Sequence, residues 1–364
     1  MLKSAFSACL IVLASMSCGA QSSAAGAPQP MSAEGKEMMQ PSSTLHLTPV
    51  ETITAPSEVA RGFAEFGCDS DGNIYIGSES AASPGVRKLN PKGELVTVFQ
   101  PGANPDIKLG LADRFFLTPD GGLYMLAFPK DDMTRYVLVF KPDGTYKGNI
   151  KLQPGFAWIP ASIGVFANGT LLVTGQEFVR GQPMRPFTGI FSADGSLLKE
   201  LNLEDDNTID EMARAHDSRV TSSMNPTSNR AVAWGRVEAA KDGNLYVMRW
   251  LSPAVIYAVS PGGEVVRRFT VDPGREDLMP IAMRIADNRI ALLFTQRQTF
   301  EKIMKVVDLE GKELATYDEL REHGKPKLGT LGSAFACYTL HPERFTFLLT
   351  ADDQRIQLKQ VAGR

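Results

Sequence analysis

The chain has 364 residues, of which 43% are hydrophobic and 22% charged, and its formal net charge is −3. That composition is ordinary for a globular protein and long enough to bury a large core, and an all-β chain of this length can be one domain. The near-neutral, slightly acidic balance excludes the basic footprint of a nucleic-acid binder and the polybasic patch of a membrane-surface protein.

The N-terminus reads as an export signal. Lys3 supplies the positive start, and Ala5 to Met16 form an apolar run too short to span a bilayer. Two processing routes fit. Cys18 and Ala20 can serve as the small residues before a signal-peptidase cut, giving a signal peptide over residues 1–20. Alternatively, the stretch from Ala14 to Cys18 follows the pattern of a lipoprotein signal, with Cys18 as the lipidated residue and Ser15 in place of the usual leucine. Residues 21–43 are rich in Ala, Ser, Pro and Gly and read as a flexible linker. The expected location is the periplasm or outer surface, either free or lipid-anchored. No later segment has the roughly 18 consecutive apolar residues of a transmembrane helix.

From about residue 57 onward the chain repeats itself at a period of about 45 to 50 residues. The first unit carries DSDGNIYIGS (69–78) and VRKLNPKGELVTVF (86–99). The second carries TPDGGLYMLAF (118–128) and YVLVFKPDGTYKGNI (136–150), the third FANGTLLVTG (166–175) and GIFSADGSLLKEL (189–201). The fourth carries AKDGNLYVMRW (240–250) and VIYAVSPGGEVVRRF (255–269), the fifth IADNRIALLF (285–294) and MKVVDLEGKELATY (304–317). The sixth is degenerate, with HPERFTFLLT (341–350) and RIQLKQVAG (355–363). Each unit has two hairpin signals, the first Asp-Gly or Asn-Gly and the second Pro-x-Gly or a relative. Gly and Asn tolerate the positive φ that such tight turns require. Four short strands per unit are the mark of a propeller blade.

In DGNIYIGS, KPDGTYKGNI and KDGNLYVMRW the chain resembles the NHL-type and TolB-like six-bladed β-propellers, a broad group that also holds gluconolactonase-like proteins. The resemblance covers residues 57 to 361. It implies an all-β, six-bladed β-propeller and leaves function open, because such folds host many activities. A ring of blades must close, and the sixth unit lacks a fourth strand. The segment Thr44 to Thr54 has strand character without a blade of its own. It is expected to complete the sixth blade as its outer strand, so that the domain spans 44–364 and leaves no open edge.

Residues 204–230 form an insertion between the third and fourth units, and EDDNTIDEMARAHDS reads as a short acidic helix. Counting six residues back from each first turn gives Glu65, Arg114, Ser162, Arg236, Ile281 and Ala336 as the residues lining the channel. Charges there are costly unless paired or wet. They form either a structural ion-pair network or a site in which Arg114 and Arg236 hold a polar or anionic ligand and Glu65 orients it. A second candidate set lies on the loops where the inner strands begin: Phe156, Trp158, Arg180, Arg185, Arg249 and Trp250. Aromatics beside arginines suit sugar, peptide or protein contacts.

Other chemistry is poorly supplied. His46, His216, His323 and His341 are scattered, no nucleophile elbow occurs, and DSDGN at 69–73 reads as a turn and not a calcium loop. Gluconolactonase-like relatives hold a channel metal with acidic and amide side chains, and the set here is too basic for that. No metal or cofactor is implied. Cys68 and Cys337 lie on neighbouring inner strands once the ring closes. Export favours a disulfide between them, while their spacing from the two turns puts both on the same side of the blade and argues for two separate buried thiols. The expected function is a ligand- or protein-binding scaffold for an envelope protein or a polar or anionic ligand. The alternative is a channel-centred lactonase- or lyase-like enzyme.

Overall fold

A computed structural model describes residues 45–55, 63–78, 85–103, 108–130, 134–178, 185–203, 235–296, 299, 301–319, 321–322, 325–326, 334–352 and 355–363. The signal, Cys18, the linker 21–43, Arg180 and the 204–230 insertion lie outside these residues.

An N-terminal strand, β1 (Leu45–Ala55), precedes the repeats. The first repeat gives β2 (Phe63–Cys68), β3 (Ile74–Ser78), β4 (Gly85–Leu89) and β5 (Leu95–Phe99). The second gives β6 (Leu109–Leu117), β7 (Leu123–Pro129), β8 (Arg135–Phe140) and β9 (Tyr146–Leu152). The third gives β10 (Trp158–Val165), β11 (Leu171–Glu177), β12 (Arg185–Phe191) and β13 (Leu197–Glu200). The fourth gives β14 (Arg236–Ala239), β15 (Leu245–Arg249), β16 (Ala254–Val259) and β17 (Val265–Val271), and the fifth β18 (Leu278–Ala286), β19 (Arg289–Gln296), β20 (Lys302–Asp308) and β21 (Glu313–Glu319). A two-strand ribbon, β22 (Arg321–Glu322) and β23 (Lys325–Pro326), precedes β24 (Ala334–Leu340), β25 (Glu343–Asp352) and β26 (Arg355–Gly363).

The described chain is all-β and propeller-like. Repeats one to four each form a separate four-stranded antiparallel sheet in chain order. The rest forms one eight-stranded sheet in the order β18-β19-β20-β21-β1-β26-β25-β24. The first strands of the repeats, β2, β6, β10, β14, β18 and β24, neighbour one another in a closed cycle. Middle strands such as β15 and β16 are buried along their whole length because both faces meet other sheets. An outer strand such as β9 alternates exposed and covered residues, as a half-buried strand does.

Turn chemistry sets the strand ends. In the first repeat the Asp69 carboxylate accepts hydrogen bonds from the backbone N–H of Asp71 and Asn73, from Asn73 Nδ2 and from Tyr75 Oη. The fourth repeat makes similar bonds from the other turn position: Asp242, the counterpart of Asp71, accepts from the Asn244 backbone N–H and Nδ2 and from Tyr246 Oη. Gly72 and Gly243 take the positive φ these turns demand, at 77° and 81°. Repeats one to four all leave five residues between the last paired residues of their first hairpin, as in Cys68↔Ile74 and Ala239↔Leu245. Repeats five and six leave only two, in Ala286↔Arg289 and Leu340↔Glu343.

β1 pairs antiparallel with β26 from Leu47↔Gly363 to Ala55↔Ile356, in the outer position expected for it. It also runs parallel to β21 over Leu45↔Tyr317 to Leu47↔Glu319, a pairing the repeat pattern does not announce. Both flanking strands are thereby satisfied by one N-terminal strand, and Leu47, Ile53 and Ala55 are buried in the process.

Cys68 and Cys337 form a disulfide, with Cα atoms 5.2 Å apart. The spacing argument against the bond fails because it aligns turns of unequal length. Counted from the last paired residue of each strand, Cys68 is at position zero and Cys337 three residues back, hence on opposite faces. Opposite faces are what two adjacent sheets turn toward each other.

Candidate functional site

The charged residues of the inner strands meet in the ring. Glu65 on β2 is buried, and its two oxygens face two arginines from different sheets. Arg236 Nε on β14 lies 3.4 Å from Oε1, and Arg114 Nη1 on β6 lies 3.7 Å from Oε2. Neither arginine is sealed: their side chains keep 19% and 27% of their exposure against 8% for Glu65. The pairs are longer than a tight bidentate contact, which would hold N⁺–H···O⁻ near 2.7–2.9 Å. Arg114 Nη1 is shut off from solvent and has no hydrogen-bond acceptor among the described residues. A donor left in that state costs free energy, so the Glu65 pair does not fully satisfy Arg114.

Two further charged residues complete the cluster. Glu238 follows Arg236 by two positions on β14, and Arg284 on β18 donates to its Oε1 from Nη1 at 2.7 Å. The same guanidinium donates to the carbonyls of Ala336 at 3.1 Å, Met283 at 2.8 Å and Phe66. Arg284 is therefore spent on the fold: it ties the fifth repeat to the first, fourth and sixth, and its side chain is only 6% exposed. The five residues carry three positive and two negative charges. Burial drives the Arg236 pKa down, with Glu65 opposing and Arg114 and Arg284 adding repulsion. Burial likewise drives the Glu238 carboxyl up, against the pull of Arg284. Glu238 is deeply seated yet 26% exposed, as a side chain facing an internal, water-reachable space would be.

The sequence count therefore places Glu65, Arg114, Ser162 and Arg236 at equivalent positions, three residues before the last pair of their strands. It overshoots in the last two repeats. There Met283 and Cys337 hold that position in place of Ile281 and Ala336, because the turns are only two residues long. Arg284 escapes even the corrected count, because it stands one residue past Met283, on the other face of the strand. Glu238 could have been found from Arg236, since residues two apart on a strand share a face.

The loop-side set divides. Trp158 is 3% exposed, stacked on Phe191 and edge-on to Phe187. Phe156 also meets Phe187 edge-on, and Phe156 and Trp158 line, with Arg135 and Lys151, an open cavity of about 480 Å³ between the second and third repeats. Arg185 is braced between Glu177 and Glu200 on its own sheet. Arg249 has no exposed surface, donates to Thr188 Oγ1 at 3.4 Å, and belongs with Trp250 to the interior. The structure thus joins Glu65, Arg114 and Arg236 and leaves Trp158, Arg185, Arg249 and Trp250 apart from them. Among the described residues no group of three His, Cys, Asp or Glu side chains converges as a metal site would require, and no helix is long and apolar enough to cross a membrane.

No protein-family model matches the chain, and no curated protein matches its sequence. Solved structures do match its fold. A candidate exported protein from Bacteroides fragilis aligns with a TM-score of 0.51 at 11% identity, over 90% of this chain and 97% of that one. A protein of unknown function from Dyadobacter fermentans gives 0.49 at 12% identity, over 87% and 99%. The PQQ-bound aldose sugar dehydrogenase of Streptomyces coelicolor gives 0.47 at 11% identity, over 89% and 100%. At these identities the likeness bears on the fold alone.

Proposed function

We propose that the protein is an exported six-bladed β-propeller, of the NHL or TolB-like kind, that binds a polar or anionic ligand in its channel. The eight-stranded sheet counts as two blades that share β1, which with the four separate sheets makes six; the closed cycle of six inner strands supports this. Export, with or without a lipid on Cys18, rests on the N-terminal sequence and on the exported character given to the Bacteroides fragilis protein of similar fold. Arg114 and Arg236 are the ligand-holding groups and Glu65 the residue that orients them.

One observation carries the reading: the Glu65 carboxylate is shared by two partly exposed arginines at 3.4 and 3.7 Å, both longer than a tight bidentate contact. A brace built for stability alone would look like Arg284, whose donors are consumed by three carbonyls and a carboxylate. The two arginines can be compared directly. Arg236→Met should change unfolding free energy by no more than about 1 kcal/mol, as for a solvated pair, and should abolish stabilisation by small anions such as citrate or phosphate in a thermal-shift series. Arg284→Met leaves a carboxylate and carbonyls without their donor and should cost about 3 kcal/mol or more. If Arg236→Met costs as much as Arg284→Met, the cluster is a brace throughout and the site reading fails. A channel-centred enzyme of lactonase or lyase type is the second reading, and the observation in its favour is Glu238, a carboxyl pushed up by burial within the same cluster.

A further inference from the structure

A second cavity lies on the opposite side of the repeats from the loop-side set, among the hairpin turns. Its volume is about 470 Å³, within the range of small-molecule sites, and it is lined by the turns of the second, third and fourth repeats. No sequence motif points to it, since its lining comes from three units at corresponding places.

The floor is apolar. Phe140 from β8, Val165 from β10, Phe166 just after it and Leu245 from β15 are all buried and present their surfaces to the cavity. The polar groups sit to one side and can be sorted by whether they are already used. The Asp120 carboxylate is used: it accepts from Thr118 Oγ1 at 2.5 Å and from the Gly122 backbone N–H at 3.4 Å. The Thr118 bond, the largest cause, holds its pKa below the ordinary value, so it stays an anion. Lys147 stands near enough to add to that effect without forming a salt bridge. Lys141 and Lys147 line the cavity; among the described residues neither forms a salt bridge, and each feels one carboxylate at longer range, Lys141 that of Asp143 and Lys147 that of Asp120. Tyr124 also lines it; burial and then the Asp120 charge raise its phenol, which therefore remains a proton donor.

The unspent groups are thus two ammoniums and a phenol, all donors, over an apolar floor, while the single carboxylate is satisfied internally. The charge balance of the lining is two lysines against one aspartate, a surplus of one. We infer that this turn-side cavity is a binding site for an amphipathic organic monoanion, its apolar body on Phe166 and Leu245 and its carboxylate, sulfonate or phosphate ester at Lys141 and Lys147. The site is separate from the channel cluster and does not depend on the function proposed for it.

Anilinonaphthalene sulfonate has this chemistry and reports its own binding by fluorescence. The folded full-length protein should bind the dye saturably at one site. Lys141→Gln with Lys147→Gln should weaken binding by about tenfold or more, since charge-assisted contacts are lost while the floor is kept. Ala167→Trp places a large ring in the cavity from an exposed turn position and should displace the dye, and Arg236→Met should leave its affinity unchanged. The neutral phenylnaphthylamine should bind the parent about as weakly as the sulfonate binds the double lysine variant. Melting curves of each variant establish that the fold is intact. No saturable binding, unchanged affinity in the double lysine or Ala167→Trp variant, or loss of binding in Arg236→Met would each overturn the assignment, the last by placing the dye in the channel.

Discussion

The first four repeats and the last two solve the same packing problem differently. Repeats one to four have five-residue first turns and stand as separate sheets, each able to satisfy its own strands. Repeats five and six have two-residue turns, and the sixth supplies only β24, β25 and β26 to its sheet. That deficit is made up by β1, which arrives from the other end of the chain and pairs with β26 on one side and β21 on the other. The disulfide from Cys68 on β2 to Cys337 on β24 adds a covalent tie between the first and sixth repeats. A cyclic fold made from a linear chain needs one such seam, and here stabilising devices are concentrated at it.

The comparison breaks most severely if the seam is opened. Deleting residues 44–55 strips two strands of their partner at once and removes Leu47, Ile53 and Ala55 from the core. Burial of the two larger side chains alone is worth about 1.5–3 kcal/mol each, and two bare strand edges invite aggregation. The truncated protein should lose its cooperative melting transition or precipitate. Deleting residues 21–40 should do neither, because a stretch rich in Ala, Ser, Pro and Gly has little apolar area to bury. A truncated chain that melts like its parent without β1 would show that the seam is held by something else.

The disulfide is the next largest effect. The bond closes a loop with a sequence separation of 269, and a long loop is where cross-linking most restricts the unfolded chain. Replacing both cysteines by alanine should lower unfolding free energy by about 2–5 kcal/mol in urea titrations, and reducing agent should shift the parent toward the double variant while leaving the variant unmoved. Equal midpoints for the two proteins would mean that β1 closes the ring unaided.

The same contrast between repeats explains what the sequence displays and what it hides. Strand positions, turn glycines and the closing role of β1 are legible because each rests on a local rule: alternation, positive φ at Gly, an unpaired edge. The meeting of Glu65, Arg114 and Arg236 is legible as well, since equal turns keep those strands in register. Arg284 and the disulfide are not: Arg284 stands one residue past Met283, the position equivalent to Glu65, so no count in register reaches it. For the disulfide, a turn shortened from five residues to two shifts the count along β24, and with a period of two a one-residue error exchanges the faces. The parallel pairing of β1 with β21 and the turn-side cavity depend on how neighbouring sheets lie against each other, which no single strand encodes.

The smallest expected effect lies at the boundary between the two kinds of repeat, where Glu238 of the fourth meets Arg284 of the fifth at 2.7 Å. Burial raises the Glu238 carboxyl above its ordinary value, and the Arg284 charge opposes that rise without cancelling it. Between the unfolded value, about 4.3, and the raised folded value, the native state keeps a proton that the unfolded state has released. Stability from this group is therefore fully present below about pH 4.3 and declines as pH climbs to the folded value. Glu238→Gln cannot titrate and lacks that slope. The stability difference, parent minus Glu238→Gln, measured by urea unfolding at several pH values from 4 upward, should fall as pH rises and then level off. A difference that rises with pH would mean that the Arg284 pair outweighs burial, and that the fourth and fifth repeats are joined by an ion pair of ordinary acidity.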